Sequence, residues 1–486
     1  MLHKRRVARL LNLVIAASFL GIFYIFLKKP STDVDSATKW SQPQVDPTLF
    51  RIAQEPVKAI KNFKNNSVKD QIDNDLNSRI SFQETNGVES LSAWKLHDIA
   101  SKANISGREI VNSVDFLNEN FPILNDKFGP LEAVQSIIVI QVHNRLAYLK
   151  ILIDTLRKAT GIEKTLIIFS HDLAVPEINE AIKSIDFARV LQIFYPYNTQ
   201  LFPHVFPGQH PADCPEKIKK DGAREKGCRN WETPDKYGNY RVAKLTQIKH
   251  HWWWKMNYVF DRVVVPHKLT DKWVVLLEED HYVTPDFLHV LEYMSGQKEN
   301  LCPQCDILCL GIYVKNYKST ILQPDLLGVA PWYSSKYNMG MTIQKKLWDV
   351  MKNCSEIFCT WDDYNWDWSM LQISVQCLPT RWRVLYTKAP RVLHIGDCGV
   401  HTHRCNSKNG AQIADDYVAK HSKDFFPSTM RVNDVSRRML KPSKANGGWG
   451  DRRDHDLCRR NTFPLQRSTK FDHVLHELYN STIQTA

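Results

Sequence analysis

From Ser136 to Arg145 the chain reads SIIVIQVHNR, a β-branched apolar run that ends abruptly in polar residues. The same pattern returns in TLIIFSHDL, in ARVLQIFYP and in WVVLLEEDH. Short apolar runs of this kind read as buried strands. Between the first two lies LAYLKILIDTLRKATG, which has helical spacing and closes on Gly161. The order is β-α-β, the unit of a doubly wound α/β fold: a Rossmann-like, mostly parallel sheet with flanking helices. Ligands of such sheets bind beyond the carboxyl ends of the strands. Gln141 to Arg145 and His171–Asp172 are therefore expected to meet at one edge, either as ligand contacts or only as turn formers.

No Walker-type loop and no GxGxxG follows the first strand. A nucleotide at this edge would need its phosphates neutralised some other way, and a metal ion is the obvious means. WVVLLEEDH reads as a fourth strand running into the same edge, with Glu278, Glu279 and Asp280 at its end. Carboxylates are hard oxygen ligands suited to Mg²⁺ or Mn²⁺. A helix start rich in acids is the competing explanation, since Thr284 could cap a helix entered through Pro285.

Three further stretches carry chemistry. In AKLTQIKHHWWWKMNYVF, Gln247, His250, Trp254 and Tyr258 share one helical stripe, and Lys244, His251 and Lys255 another. Three successive tryptophans span most of a helix circumference, so at least one is core; the His and Lys residues at the start of the stretch are the candidates for a uracil or phosphate contact. FCTWDDYNWDWSM alternates carboxylates with aromatics. Aromatic faces stack on sugar rings, and a carboxylate among them can deprotonate a hydroxyl. Core packing accounts for some tryptophans but not for three aspartates among them. In APRVLHIGDCGVHTH a strand ends at His394, with His401 and His403 as rivals. CPQCDILC resembles half a zinc site, but no second pair matches it, so a local disulfide is expected.

The N-terminus decides the compartment. HKRRVAR precedes the apolar run Leu10 to Leu27, and Lys28, Lys29 and Pro30 follow. An apolar run of eighteen residues is near the minimum for a bilayer span. The flanking charge keeps the short end cytosolic, and the short span suits an early-secretory membrane. A cleaved signal peptide is the alternative. The expected domains are a cytosolic tail over 1–9, a transmembrane anchor over 10–27, a lumenal stem over 28–129 and a catalytic domain over 130–486. All eleven cysteines lie between Cys214 and Cys458, which behind such an anchor means disulfides. Acceptor sequons for glycosylation stand at Asn65, Asn104, Asn353 and Asn480. The net charge of +12 favours anionic partners. Apart from the N-terminus, the basic residues cluster only around Lys217 to Arg229, and without an RNA-binding or finger signature nucleic acid is set aside.

Together, QVHNR, KHHWWWK, LEEDHY, CPQCD, FCTWDDYNWDW, PRVLHIGDCG and NGGWGDRRDHDLC resemble the N-acetylglucosaminyltransferase II family over about Pro130 to Cys458. The resemblance implies a GT-A fold and an inverting, Mn²⁺-dependent transfer of GlcNAc. The donor is UDP-GlcNAc and the acceptor is the α1,6-arm mannose of an N-glycan core. It implies Asp280 and His394 as metal ligands and Asp367 as the catalytic base. Nucleotide-sugar contacts fall on Gln141, Val142, His143, Asn144, Arg145, Asp172, Gln247, Ile248, Lys249, His250 and His251. It also implies the disulfides Cys214–Cys228, Cys302–Cys305, Cys354–Cys377, Cys359–Cys458 and Cys398–Cys405, which leaves Cys309 free.

Glu278 and Glu279 are then expected to orient the donor or support the metal. Chemistry alone suggests Asn338, Tyr364 and Trp366 as acceptor contacts, and no contact is assigned over 311–336. The implied setting is the Golgi membrane, with one span, type II topology and a lumenal catalytic domain; a homodimer is an open alternative. Three other functions compete. A β1,2-GlcNAc transferase could act on the α1,3-arm mannose, a choice that residue chemistry does not make. A non-catalytic glycan-binding membrane protein would keep the aromatics but have no use for Asp280 with His394. A glycoside hydrolase would need neither metal nor nucleotide edge.

Overall fold

The computed structural model describes residues 114, 117–120, 122–313, 323–396, 407–442 and 444–465. The tail, the anchor, most of the stem, Asn65, Asn104, Asn480, His401, His403 and the pair Cys398–Cys405 lie outside the described residues.

The first expected strands form where the β-branched runs are. They are β1 (Ser136–Val142), β2 (Thr165–His171) and β3 (Arg189–Phe194), with helix α1 (Leu146–Arg157) between β1 and β2 and α2 (Pro176–Lys183) between β2 and β3. β4 (Trp273–Glu278) pairs in parallel with the other side of β1. Every residue of β2 and β3 is buried, as the uniformly apolar runs require of strands covered on both faces. The apolar stripe of α1 (Leu149, Leu152, Leu156) closes one face of this half-sheet.

β5 (His281–Val283), β6 (Ile307–Cys309), β7 (Leu326–Pro331), β8 (Met341–Ile343), β9 (Arg383–Thr387), β10 (Val392–His394) and β11 (Arg431–Val435) follow along the chain. The large sheet has nine strands in the order β11-β7-β9-β6-β8-β4-β1-β2-β3. Five of its eight pairings are parallel; β4–β8, β6–β8 and β7–β9 are antiparallel. The sheet is thus mixed beyond β4 rather than doubly wound throughout. The fourth run is also not one strand. It leaves the sheet at Glu278, and β5 pairs antiparallel with β10 in a separate two-stranded ribbon. That break places Glu279 and Asp280 in the turn between two sheets.

The long helix α3 (Ala243–Tyr258) packs under the sheet and continues into a π-helical turn over Val259–Val264. All three tryptophans, Trp252 to Trp254, are buried. Trp252 stacks on Trp366 with ring centroids 4.4 Å apart. This ties α3 to the helix Trp366–Gln376.

The helix after the acidic turn, α4 (Phe287–Gly296), is not capped by Thr284. The Thr284 hydroxyl donates to Asp286, whose carboxylate in turn receives Arg391 Nε at 3.0 Å. The acids at the end of β4 are therefore not the start of that helix. Disulfides Cys214–Cys228, Cys302–Cys305, Cys354–Cys377 and Cys359–Cys458 are formed, and Cys309 is free and buried.

Candidate active site

β1, β2 and β4 end side by side, and their polar tails meet as the strand pattern predicts. His143 Nδ1 lies 2.8 Å from Asp172 Oδ1, and Gln247 Nε2 donates to Asp172 Oδ2 at 2.9 Å. His251 Nδ1 stands 3.7 Å from the same carboxylate oxygen. Burial pushes the Asp172 carboxyl up, but the His143 hydrogen bond and the nearby His251 outweigh it and hold it below the usual range. His143 is raised: burial lowers it, and Asp172 more than compensates.

Glu279 organises the loop after β1. Its buried carboxylate accepts from His143 N at 2.9 Å, Arg145 N at 3.3 Å and Arg145 Nε at 2.8 Å. Glu279 N in turn donates to Gln141 O. Arg145 reaches on to Asp280, where Nη1 meets Oδ2 at 2.7 Å. The ribbon β5–β10 places His394 opposite His281, and His394 Nε2 is 3.1 Å from the same oxygen of Asp280. Burial pushes Asp280 up, but His394 and then Arg145 hold it well below the usual carboxylate range. Asp280 Oδ1 is buried and has no hydrogen-bond partner.

An anionic oxygen left unpartnered inside a protein is costly unless something else meets it. Glu278, Asp280 and His281 can offer ligand atoms within 4.8 Å of one another. A neutral imidazole has one acceptor nitrogen. His281 spends its Nδ1 on the Glu278 N–H at 3.2 Å and is buried, with its pKa pushed down to about 3. The nitrogen better placed for a cation is therefore His394 Nε2, on a side chain 34% exposed. Gly396 keeps the space: a Cβ there would stand 2.0 Å from Asp280 Oδ2. Hard oxygen with imidazole nitrogen suits Mn²⁺ or Mg²⁺.

Asp367 sits in the first turn of α5 (Trp366–Gln376). Its Oδ1 accepts from Trp368 N at 2.9 Å and its Oδ2 from Asn338 Nδ2 at 3.3 Å. Burial, opposed by the Trp368 N–H and reinforced by Asp363 and Glu278, raises its pKa to about 7. A carboxylate poised there is suited to taking a proton at neutral pH. The contribution of Glu278 means that the charge of the acidic turn is felt at Asp367. Asp362 and Asp363, its neighbours in sequence, do other work. Asp363 is fully buried and accepts from Asn365 N and Asn446 N; Asp362 accepts from Trp449 N and Lys236 N. They anchor the NGGWG segment, so only one of the three aspartates is free for chemistry.

The remaining expected contacts divide. Gln141 accepts from Lys255 Nζ at 2.7 Å at the strand ends. Asn144 is exposed on the same loop, and the Val142 side chain is core, leaving only its backbone to the edge. Gln247 and His251 face Asp172. Lys249 and His250 do not reach the edge. Lys249 is fully enclosed, donating to Trp361 O and Asp363 O, and His250 Nε2 pairs with Asp454 at 3.0 Å. Ile248 packs against the core. Every third or fourth residue of a helix faces the same way, so five consecutive positions cannot all line one site. Tyr364 and Trp366 are buried and precede Asp367 by three and one positions, and Asn338 holds its carboxylate. Asn353, the one sequon among the described residues, is exposed.

Two residues escaped the sequence reading as site groups. Lys255 is buried, with its amine pulled down to about 7 by burial against the opposing charge of Glu278; the stripe it shares with His251 was the available signal. Tyr313 lies with its ring centroid 6.3 Å from that of His394.

The family profile described as N-acetylglucosaminyltransferase II (MGAT2) matches residues 111–458. An "Alpha-1,6-mannosyl-glycoprotein 2-beta-N-acetylglucosaminyltransferase" of Sus scrofa is 43% identical over 69% of this chain and 75% of that one. A protein of the same description from Arabidopsis thaliana is 32% identical over 70% of this chain and 78% of that one. Among solved structures, "Crystal structure of S. aureus TarS 1-349" aligns at 10% identity and a TM-score of 0.27, covering 60% of this chain and 72% of that one.

Proposed function

Because the chain belongs to the N-acetylglucosaminyltransferase II family, we propose that it is an inverting GT-A transferase using UDP-GlcNAc and Mn²⁺. It adds GlcNAc in β1,2 linkage to the α1,6-arm mannose of the N-glycan core. The observation that carries the chemistry is the contrast between the settings of two carboxylates. Asp280 is held ionised beside His394 with one oxygen unpartnered, and Asp367 is raised to about 7 by burial, with Asp363 and Glu278 adding to it. Environments that push two carboxyl groups apart assign them different tasks.

Asp280 and His394 would hold the cation. When bound, it neutralises the diphosphate and the charge that grows on the departing UDP. Arg145, fixed by Glu279, keeps positive charge at the same edge. Asp172, with His143 and Gln247, offers a rigid polar frame for the nucleoside. Asn338 and the Trp368 N–H orient the Asp367 carboxylate. Asp367 takes the proton from the mannose 2-hydroxyl as that oxygen attacks the anomeric carbon from the side opposite UDP. One displacement converts an α-linked donor into a β-linked product, and the proton leaves Asp367 to water afterwards.

The Golgi setting belongs to the same proposal, with a single type II span over 10–27 and the catalytic domain in the lumen. The apolar run and four disulfides support it. No helix among the described residues is long and apolar enough to cross a membrane.

One assay tests the whole reading. The purified chain is given UDP-GlcNAc, Mn²⁺ and core glycans with and without GlcNAc on the α1,3 arm. Transfer to the α1,6-arm mannose of the GlcNAc-bearing acceptor is expected. Transfer to the α1,3-arm mannose would point to the other arm's enzyme, and metal-independent glycan binding without transfer to a lectin-like protein.

A further inference from the structure

The basic stretch that the sequence singles out, Lys217 to Arg229, takes no part in the site above. In the fold it becomes a small closed module. Cys214–Cys228 shuts it, and Cys214, Ala223, Cys228 and Tyr240 form its own core, with Ile218 and Trp231 against them. Around that core Lys217, Lys219, Lys220, Arg224, Lys226 and Arg229 are all exposed. None of the six is in an ion pair among the described residues, although such pairs are common elsewhere on the surface. Against them the segment has only Asp221 and Glu225, which leaves +4 of the chain's +12 in thirteen residues. Like charges held close on a rigid base raise the self-repulsion of the fold, so the arrangement stabilises nothing by itself.

The module is bolted to the side of the cleft that bears the proposed base. Asn230 Nδ2 donates to Asp451 Oδ2 at 3.1 Å, and in the loop leading out of the module Lys236 N donates to Asp362 while Asp235 accepts from Gly448 N. Gly448 in turn lies against Tyr364, three residues before Asp367. A glycan entering beside Tyr364 and Trp366 brings with it the polypeptide to which it is attached.

We propose that the Cys214–Cys228 module is an electrostatic docking platform for acidic polypeptide surface around the acceptor glycan. This rests on the acceptor side assigned above. Its six cations complement carboxylates near the glycosylated asparagine. They raise the rate of productive encounter without touching the sugar that reacts, as charge complementarity does at other interfaces.

The test uses two synthetic glycopeptides that carry the same acceptor glycan on asparagine, one flanked by aspartates and one by lysines, with the free glycan as control. At low salt, kcat/KM for the aspartate-flanked peptide should exceed that for the lysine-flanked one by roughly tenfold, the lower end of steering effects. The preference should vanish near about 0.5 M NaCl, where screening shortens the reach of charge to a few ångströms. It should also vanish in the combined variant Lys217→Ser, Lys219→Ser, Lys220→Ser, Arg224→Ser, while turnover of the free glycan stays unchanged. The aspartate peptide without glycan, followed by fluorescence anisotropy, should bind the wild type and not the variant; this readout survives even if transfer fails. Equal kcat/KM for the two peptides, or a preference that persists in the variant, overturns the proposal. So does patch-dependent sedimentation with phosphatidylserine vesicles in the absence of any peptide preference, which would assign the module to a membrane. Loss of transfer to the free glycan by the wild type would instead defeat the functional reading.

Discussion

Two Asp–Arg–His clusters of the same composition are each built on a buried aspartate, Asp454 in one and Asp280 in the other. Asp454, on the C-terminal helix α6 (Arg452–Asn461), receives Arg241 Nε at 2.8 Å, Arg241 Nη2 at 3.0 Å and His250 Nε2 at 3.0 Å, so both carboxylate oxygens are filled. Arg241 and Asp454 have no exposure at all. Asp280 receives Arg145 and His394 on one oxygen only, and the other is bare. Its partners remain 27% and 34% exposed. Both aspartates are held well below the usual carboxylate range against the push of burial, and both owe this to a cation and a histidine. What separates scaffold from site is therefore not residue type or pKa but completeness. A filled network binds the fold together, whereas an unfilled one with open partners is waiting for a ligand.

The largest effects should separate the two clusters outright. Asp454→Ala strands a fully buried guanidinium and should cost about 3–5 kcal/mol of stability, read as a large drop in Tm or loss of secreted protein. Asp280→Ala removes a carboxylate that already has an unmet oxygen beside partly exposed partners, so the fold should survive. Mn²⁺-dependent UDP binding measured by calorimetry should disappear. Undiminished binding would remove Asp280 from the metal site, and a collapse of Tm comparable to that of Asp454→Ala would erase the distinction drawn here.

Asp367 differs from both, because among the described residues its hydrogen-bond partners are Trp368 N and Asn338 Nδ2, neither of them a cation. Asp367→Asn should keep UDP binding and lose about 10²–10⁴ of turnover, the usual contribution of a general base. Wild-type turnover would rule out the base. The pH dependence follows with a definite sign. The base must be ionised, so kcat/KM should fall about tenfold per unit below its pKa of about 7 and level off above it. The folded chain binds this proton more tightly than the unfolded one, whose carboxyl titrates near about 4. Stability is thus lost as pH rises between those values, and Asp367→Asn should match or exceed wild-type Tm near neutrality. His394 runs the other way. Asp280 raises it above the usual histidine value despite burial, and a metal ligand must shed its proton, so Mn²⁺ affinity should climb with pH.

The contrast also explains what could be read in the chain beforehand. β1 to β4 were legible because uniformly apolar, β-branched runs have few other ways to be buried. The polar tails of β1, β2 and β4 were legible as one edge for the same reason. The antiparallel strands β6 and β8 are three residues long each, too short for any periodicity. The ribbon that sets His394 opposite His281 joins segments more than a hundred residues apart, so the chain alone offered His394 beside His401 and His403, and only the family resemblance chose among them. Asp362 and Asp363 looked like candidates because composition cannot tell an aspartate that caps a loop from one that faces a cleft. Lys249 and His250 failed for the same reason: the partners that enclose them, Asp363 and Asp454, are 114 and 204 positions away.

The smallest predicted effect concerns the cluster between these extremes. Asp172 has both oxygens met, by His143 and by Gln247, yet His143 is 49% exposed. By the completeness rule it is nearly scaffold, and by exposure it is nearly site. His143→Ala removes one hydrogen bond to a charged group from a half-open position, where water can replace the lost donor. The cost should therefore be about 1 kcal/mol or less, with Tm almost unchanged. Gln247→Leu leaves the buried oxygen of Asp172 bare and also strands Thr199 N, which donates to Gln247 Oε1. Its cost should reach about 1–3 kcal/mol, the range for an unsatisfied buried group. Thermal melts of the two variants, with UDP affinity measured alongside, decide the matter. If His143→Ala destabilises the fold as much as Gln247→Leu, exposure of the partner does not predict the cost, and the Asp172 frame belongs with Asp454 rather than with Asp280.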